Sequence, residues 1–124
     1  QMVKKTILVV DDEANVRLLV RKILSKDYIV LEATDGEEAI NAARTKNPDV
    51  ILMDIMMPKM DGYTACSVLK ADPATKAIPV IMVTGLTQRM NEALARTLGA
   101  DGCVPKPFSS TELLSTVGKF SGPQ

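Results

Sequence analysis

Histidine and tryptophan are missing from this 124-residue chain, and its aromatic residues are Tyr28, Tyr63, Phe108 and Phe120 alone. The interior must therefore be aliphatic. Cysteine is scarce too: Cys66 and Cys103 are too few for a disulfide framework and form no CxxC pair. With no histidine to complete a ligand set, a zinc site is not expected, and the two thiols read as small buried hydrophobes in a reducing compartment. Net charge is also lacking, fifteen Lys and Arg standing against fifteen Asp and Glu. That balance removes any general pull toward nucleic acid or an anionic membrane. No apolar run approaches the roughly 18 to 20 residues that span a bilayer. The opening stretch, with TILVV as its apolar part, is too short for a signal peptide and has no small-residue cleavage pattern. These absences predict a cytoplasmic protein with no membrane insertion and no direct nucleic-acid binding. The Gln1-Met2 start leaves room for a longer native chain.

What is present fits one domain. Apolar residues make up 46% of the chain, and a globular domain of this size buries roughly two-thirds of its unfolded surface. Strand-like and helix-like patterns alternate, with no internal repeat. TILVV (6–10) is a short β-rich run, followed by a pattern in which Val16, Leu19, Val20, Ile23 and Leu24 recur at helix spacing. YIVL (28–31) reads as a second strand, and Asp35-Gly36 turns the chain into a helix over about 37–46. DVILM (49–53) is apolar after its first residue, as in a parallel strand covered on both faces. A helix over 63–70 follows the MMPKMDG loop, and PVIMV (79–83) is another continuous apolar strand. A fourth helix is predicted over about 87–98, closed by Gly99. A short fifth strand covers 102–104, and a last helix covers 109 to about 120, capped by Ser109 or Ser110 with Glu112. Five strands, each followed by a helix, predict an α/β fold with a parallel sheet and right-handed crossovers. Open sheets of this kind place their sites at the carboxyl ends of the strands.

Asp11, Asp12 and Glu13 follow the first strand, Asp54 the third, Thr84-Gly85 the fourth, and Lys106-Pro107-Phe108 the fifth. Gathering Asp11, Asp12 and Asp54 is electrostatically costly unless a cation relieves the repulsion. Mg2+ suits the task, being a hard cation that uses one or two carboxylates together with waters and substrate phosphate. One carboxylate can then stay ionised and attack phosphorus, giving an aspartyl phosphate. Phosphoryl transfer needs positive charge and donors around the equatorial oxygens, which Lys106 and the Thr84 hydroxyl can supply.

Each residue also has a plainer reading. Asp12 can cap the first helix, Asp54 and Thr84-Gly85 can belong to turns, and Lys106 can be a solvated charge. Asp61-Gly62 reads as a turn and cap, and Met56, Met57 and Met60 as packing or loop anchors. The joint occurrence at four strand ends, in order, favours the site.

The segments ILVVDDE (7–13), DVILMDIMMPKMDG (49–62), PVIMVTG (79–85) and GADGCVPKPF (99–108) together resemble the receiver domain of two-component response regulators. The resemblance runs over essentially the whole chain, and the set is specific where DD, DG or KP alone would be weak. It implies a doubly wound, flavodoxin-like (βα)5 sheet of order 2-1-3-4-5, as one receiver domain over 1–124. The ordered part is expected from about 4 to 120 with short flexible ends, and no output domain after Phe120. By position, Asp54 would be the phosphoacceptor, fed by a histidine kinase or phosphotransfer protein. Asp11 and Asp12 would be the acidic pair, with the Met56 backbone carbonyl a Mg2+ ligand beside Asp12 and Asp54. Thr84 would be the switch hydroxyl, Lys106 the phosphate-binding lysine, and Lys106-Pro107 a cis bond. The readout would be a contact with a downstream protein target or a fused output domain. Such a chain is a signalling phosphoacceptor rather than an enzyme acting on a separate substrate.

One position departs from the family pattern: Cys103 stands where the fifth strand usually carries a Tyr or Phe switch residue. The departure supports a competing reading, a receiver-like interaction module that needs no phosphate; the intact Asp11, Asp12, Asp54, Thr84 and Lys106 set opposes it. A haloacid-dehalogenase-type phosphatase would need a second Asp two residues after its nucleophile. Met56 holds that place after Asp54, and Glu13 after Asp11. Met56 and Leu86, two residues beyond Asp54 and Thr84, have no side chain to orient water, which predicts slow self-dephosphorylation. Gln88, Arg89, Asn91, Glu92 and Arg96 form either a partner surface or an ordinary solvated face.

Overall fold

The structure, a computed structural model, describes residues 3–85 and 92–122. Within them run β1 (Thr6–Val10), α1 (Ala14–Leu24), β2 (Ile29–Ala33), α2 (Gly36–Lys46), β3 (Val50–Asp54), α3 (Gly62–Ala71), β4 (Val80–Thr84), α4 (Glu92–Thr97), β5 (Gly102–Pro105) and α5 (Ser110–Ser121). The strands form one parallel sheet of order β2-β1-β3-β4-β5, as expected.

Alternation along the three inner strands separates two cores. Leu8, Val10, Ile51, Met53, Val80 and Met82 point to one face, where Ala39, Ile40 and Ala43 of α2 and Ala65, Cys66 and Leu69 of α3 cover them. Ile7, Val9, Val50, Leu52, Ile81 and Val83 point to the other, under Val20 and Leu24 of α1 and Leu113 and Val117 of α5. Burial on both faces is why four consecutive residues of each strand are apolar, polar residues standing only at the strand ends.

Local chemistry fixes the helix starts. Asp35 accepts from the Glu38 N–H at 2.9 Å, Asp61 from the Thr64 N–H at 2.8 Å, and Ser109 from the Glu112 N–H at 3.0 Å. The N-cap of α1 is Glu13, whose side chain makes no capping bond, so Asp12 is not the cap.

Three details differ from expectation. β2 lies further along than YIVL, running to Ala33, because its polar Glu32 pairs in register with Val9 at the sheet margin. Leu19 shares the helical periodicity of α1 yet is 47% exposed. Cys66 is buried as expected, but Cys103 is exposed, since it alternates with the buried Val104 on β5. The 87–91 part of the predicted fourth helix, with Gln88, Arg89 and Asn91, lies outside the described residues, as do Leu86 and the outermost residues at either end. Among the described residues no helix is long and apolar enough to cross a membrane.

Candidate functional site

The carboxyl ends of β1, β3, β4 and β5 meet at one edge of the sheet. Asp11 directly follows β1 and Asp54 closes β3, both nearly fully buried at 2% and 5% exposure. Asp12 is exposed, and carboxylate oxygens of Asp11, Asp12 and Asp54 all lie within 4.8 Å of one another. Lys106 reaches in from the end of β5, its Nζ 2.8 Å from Asp11 Oδ2 and 3.3 Å from Asp54 Oδ1. The Lys106 N–H donates to the Thr84 carbonyl, so β4 sets where the lysine leaves the sheet. The Lys106-Pro107 bond is cis.

Every polar atom of Asp11 is used. Its N–H donates to Ala33 O at 3.1 Å and its carbonyl accepts from Arg17 Nη1 at 2.8 Å. Its Oδ1 accepts from the Glu13 N–H at 2.9 Å, while Oδ2 takes Lys106. Asp54 is held differently. The chain after it returns through a loop to α3, where the Gly62 N–H donates to Ile55 O at 2.8 Å. A Cβ on Gly62 would stand 2.3 Å from the Asp54 carbonyl oxygen. Glycine at 62 is thus what lets α3 start against the strand that presents Asp54.

Burial pushes the Asp54 carboxyl up to about 6, and the Asp11 charge pushes the same way against the pull of Lys106. Burial works against the Lys106 ammonium, but the Asp11 hydrogen bond and the charges of Asp11 and Asp54 outweigh it and hold its pKa above the ordinary value. Three carboxylates against one ammonium leave two negative charges when all are ionised, the charge a divalent cation cancels. An all-oxygen donor set of this kind suits a hard cation such as Mg2+.

Thr84 is placed as the last residue of β4, and Cys103 is level with Met82 on β5. Met56 sits in the loop beyond β3 and is 58% exposed. The plain reading of Asp61-Gly62 is right for Asp61, which caps α3, and incomplete for Gly62. Cys66 lies away from the acidic cluster, and burial pushes its thiol up to about 11.

The chain matches the family described as response regulator receiver domain over residues 7–118. It belongs to that family. It is 46% identical over 112 residues to the response regulator PleD of Caulobacter vibrioides, covering 90% of this chain and 25% of PleD. It is 40% identical over 114 residues to the alkaline phosphatase synthesis transcriptional regulatory protein PhoP of Bacillus subtilis, covering 91% and 47%. This receiver chain thus spans less than half the length of either relative. Among solved structures, it is similar to the receiver domain of the sensor histidine kinase PA1611 from Pseudomonas aeruginosa, with a TM-score of 0.88 and 26% identity. That match covers 98% of this chain and 100% of the other, which holds a magnesium ion coordinated in its active-site cleft.

Proposed function

We propose that residues 1–124 act as one receiver unit that takes a phosphoryl group on Asp54 from a histidine kinase or phosphotransfer protein. The carrying observation is a nearly buried Asp54 carboxylate that shares Lys106 with Asp11 and stands beside Asp12. An Asp54 carboxylate oxygen attacks phosphorus in line. The Asp54 O–P bond forms as the donor N–P bond breaks, and the departing imidazole nitrogen keeps the electron pair. Lys106 gives up its carboxylate contact for a phosphoryl oxygen, carrying its charge to where negative charge gathers. Thr84 offers its hydroxyl from the end of β4.

Asp12, Asp54 and the Met56 carbonyl would hold Mg2+ in this reading, with Asp11 completing the acidic pair. What the bound cation supplies is cancellation of carboxylate and phosphoryl charge during in-line transfer. Such a unit is a signalling phosphoacceptor that works in the cytoplasm and alters a contact with a protein target or a fused output domain. With Cys103 in place of an aromatic switch residue, that readout runs without a ring following Thr84 inward.

Phosphoramidate, a small phosphoryl donor, tests the reading. 31P NMR of the protein with phosphoramidate and Mg2+ is expected to show an acyl phosphate resonance that Asp54→Asn and chelator each remove. A resonance that persists in Asp54→Asn would place the phosphate elsewhere.

A further inference from the structure

The Asp11-Asp12 turn is held from outside the cluster by Arg17 on α1. Its guanidinium is forked: Nη1 donates to the Asp11 carbonyl at 2.8 Å and Nε to Glu32 Oε1 at 2.9 Å. Glu32 stands on β2, where its other oxygen takes Arg21 Nε at 2.8 Å. The Arg17 side chain is only 16% exposed, so it lies along the protein with both ends of its fork engaged.

The bonded carbonyl belongs to the peptide that joins Asp11 to Asp12. Because that peptide is planar, holding its carbonyl also holds the N and Cα of Asp12, the base from which the Asp12 side chain leaves the backbone. Asp12 is the exposed member of the trio and gains no orientation from burial. We propose that Arg17 is a positioning residue for the acidic cluster, fixing where the Asp12 carboxylate stands relative to Asp54. Glu32 locks the guanidinium in place and cancels its charge, which would otherwise repel a cation. This rests on the reading of the cluster as a Mg2+ site.

Charge and positioning make opposite forecasts. Removing a cation near an acidic site tightens Mg2+ binding if Arg17 acts by charge, and weakens it if Arg17 acts by geometry. Arg21 supplies the control, since it shares Glu32 with Arg17 but does not touch Asp11.

The experiment is Mg2+ titration calorimetry on wild type, Arg17→Met, Arg17→Lys and Arg21→Met, with urea unfolding in chelator alongside. Arg17→Met is expected to raise the Mg2+ Kd about tenfold, as loss of a partner behind a metal ligand commonly does. Arg17→Lys keeps the charge but not the fork, and is expected to restore little. Arg21→Met is expected to leave the Kd within about twofold while costing similar metal-free stability, an exposed ion pair being worth little. An unchanged or lower Kd in Arg17→Met, or an equal rise in Arg21→Met, would overturn the proposal. Should Arg17→Met fail to fold, Arg17→Gln, which removes the same charge, replaces it: a raised Kd supports the proposal, and no rise overturns it. Wild type that binds no Mg2+ would remove the metal-site reading itself, and this inference with it.

Discussion

Asp54 is expensive to keep charged where the fold puts it. Burial first, and the Asp11 charge second, lift its carboxyl from 3.8 to about 6. A raised folded-state pKa means that the native state prefers the protonated acid. The resulting stability is fully present below the unfolded value near 3.8 and is lost as pH rises through about 6. In chelator, Asp54→Asn should therefore gain on wild type across that window, by on the order of 3 kcal/mol at neutral pH. Urea midpoints of the two proteins from pH 4 to 8 check it, and a constant difference would contradict it. At this scale the sequence was informative where chemistry and strand ends coincide. Asp11, Asp12, Asp54 and Lys106 were readable for that reason, and all four come together. Arg17 was not, because its partners Glu32 and the Asp11 carbonyl meet it only once α1 packs against β1 and β2. The exposure of Cys103 was not legible, since a four-residue edge strand gives too little alternation to tell its faces apart.

The strands β1, β3 and β4 were legible because two-sided burial demands unbroken apolar runs. β2, with one polar residue and one edge, was displaced. The β3–α3 connection shows how element geometry reaches the site. Sequence signalled a turn and a cap there, which Asp61 supplies, but a close backbone approach leaves no mark in a single sequence beyond the glycine itself. Gly62→Ala should force α3 away from the Asp54 carbonyl, costing about 1–3 kcal/mol by overpacking and weakening Mg2+ binding with it. Asp61→Ala removes only the cap bond to Thr64 and should cost about 1 kcal/mol with Mg2+ affinity kept. Unfolding curves and calorimetry on the pair separate cap from close packing; equal Mg2+ affinities in the two variants would contradict this account.

At the scale of the whole molecule, one parallel sheet carries four strand ends to a single edge, and the sum of their charges is what a divalent cation answers. Binding to the native state alone stabilises by mass action, about 2.7 kcal/mol when the ligand is a hundredfold above its Kd. Mg2+ should therefore raise the Tm of wild type and do so less for Asp12→Asn; equal shifts would place the ion elsewhere. The most direct test of the central claim is the intact mass of the protein after incubation with acetyl phosphate and Mg2+, with Asp54→Asn beside it. The account predicts a single phosphoryl adduct on the wild type, missing from Asp54→Asn and lost when the metal is chelated. A folded, Mg2+-binding wild type that takes up no phosphoryl group would contradict it.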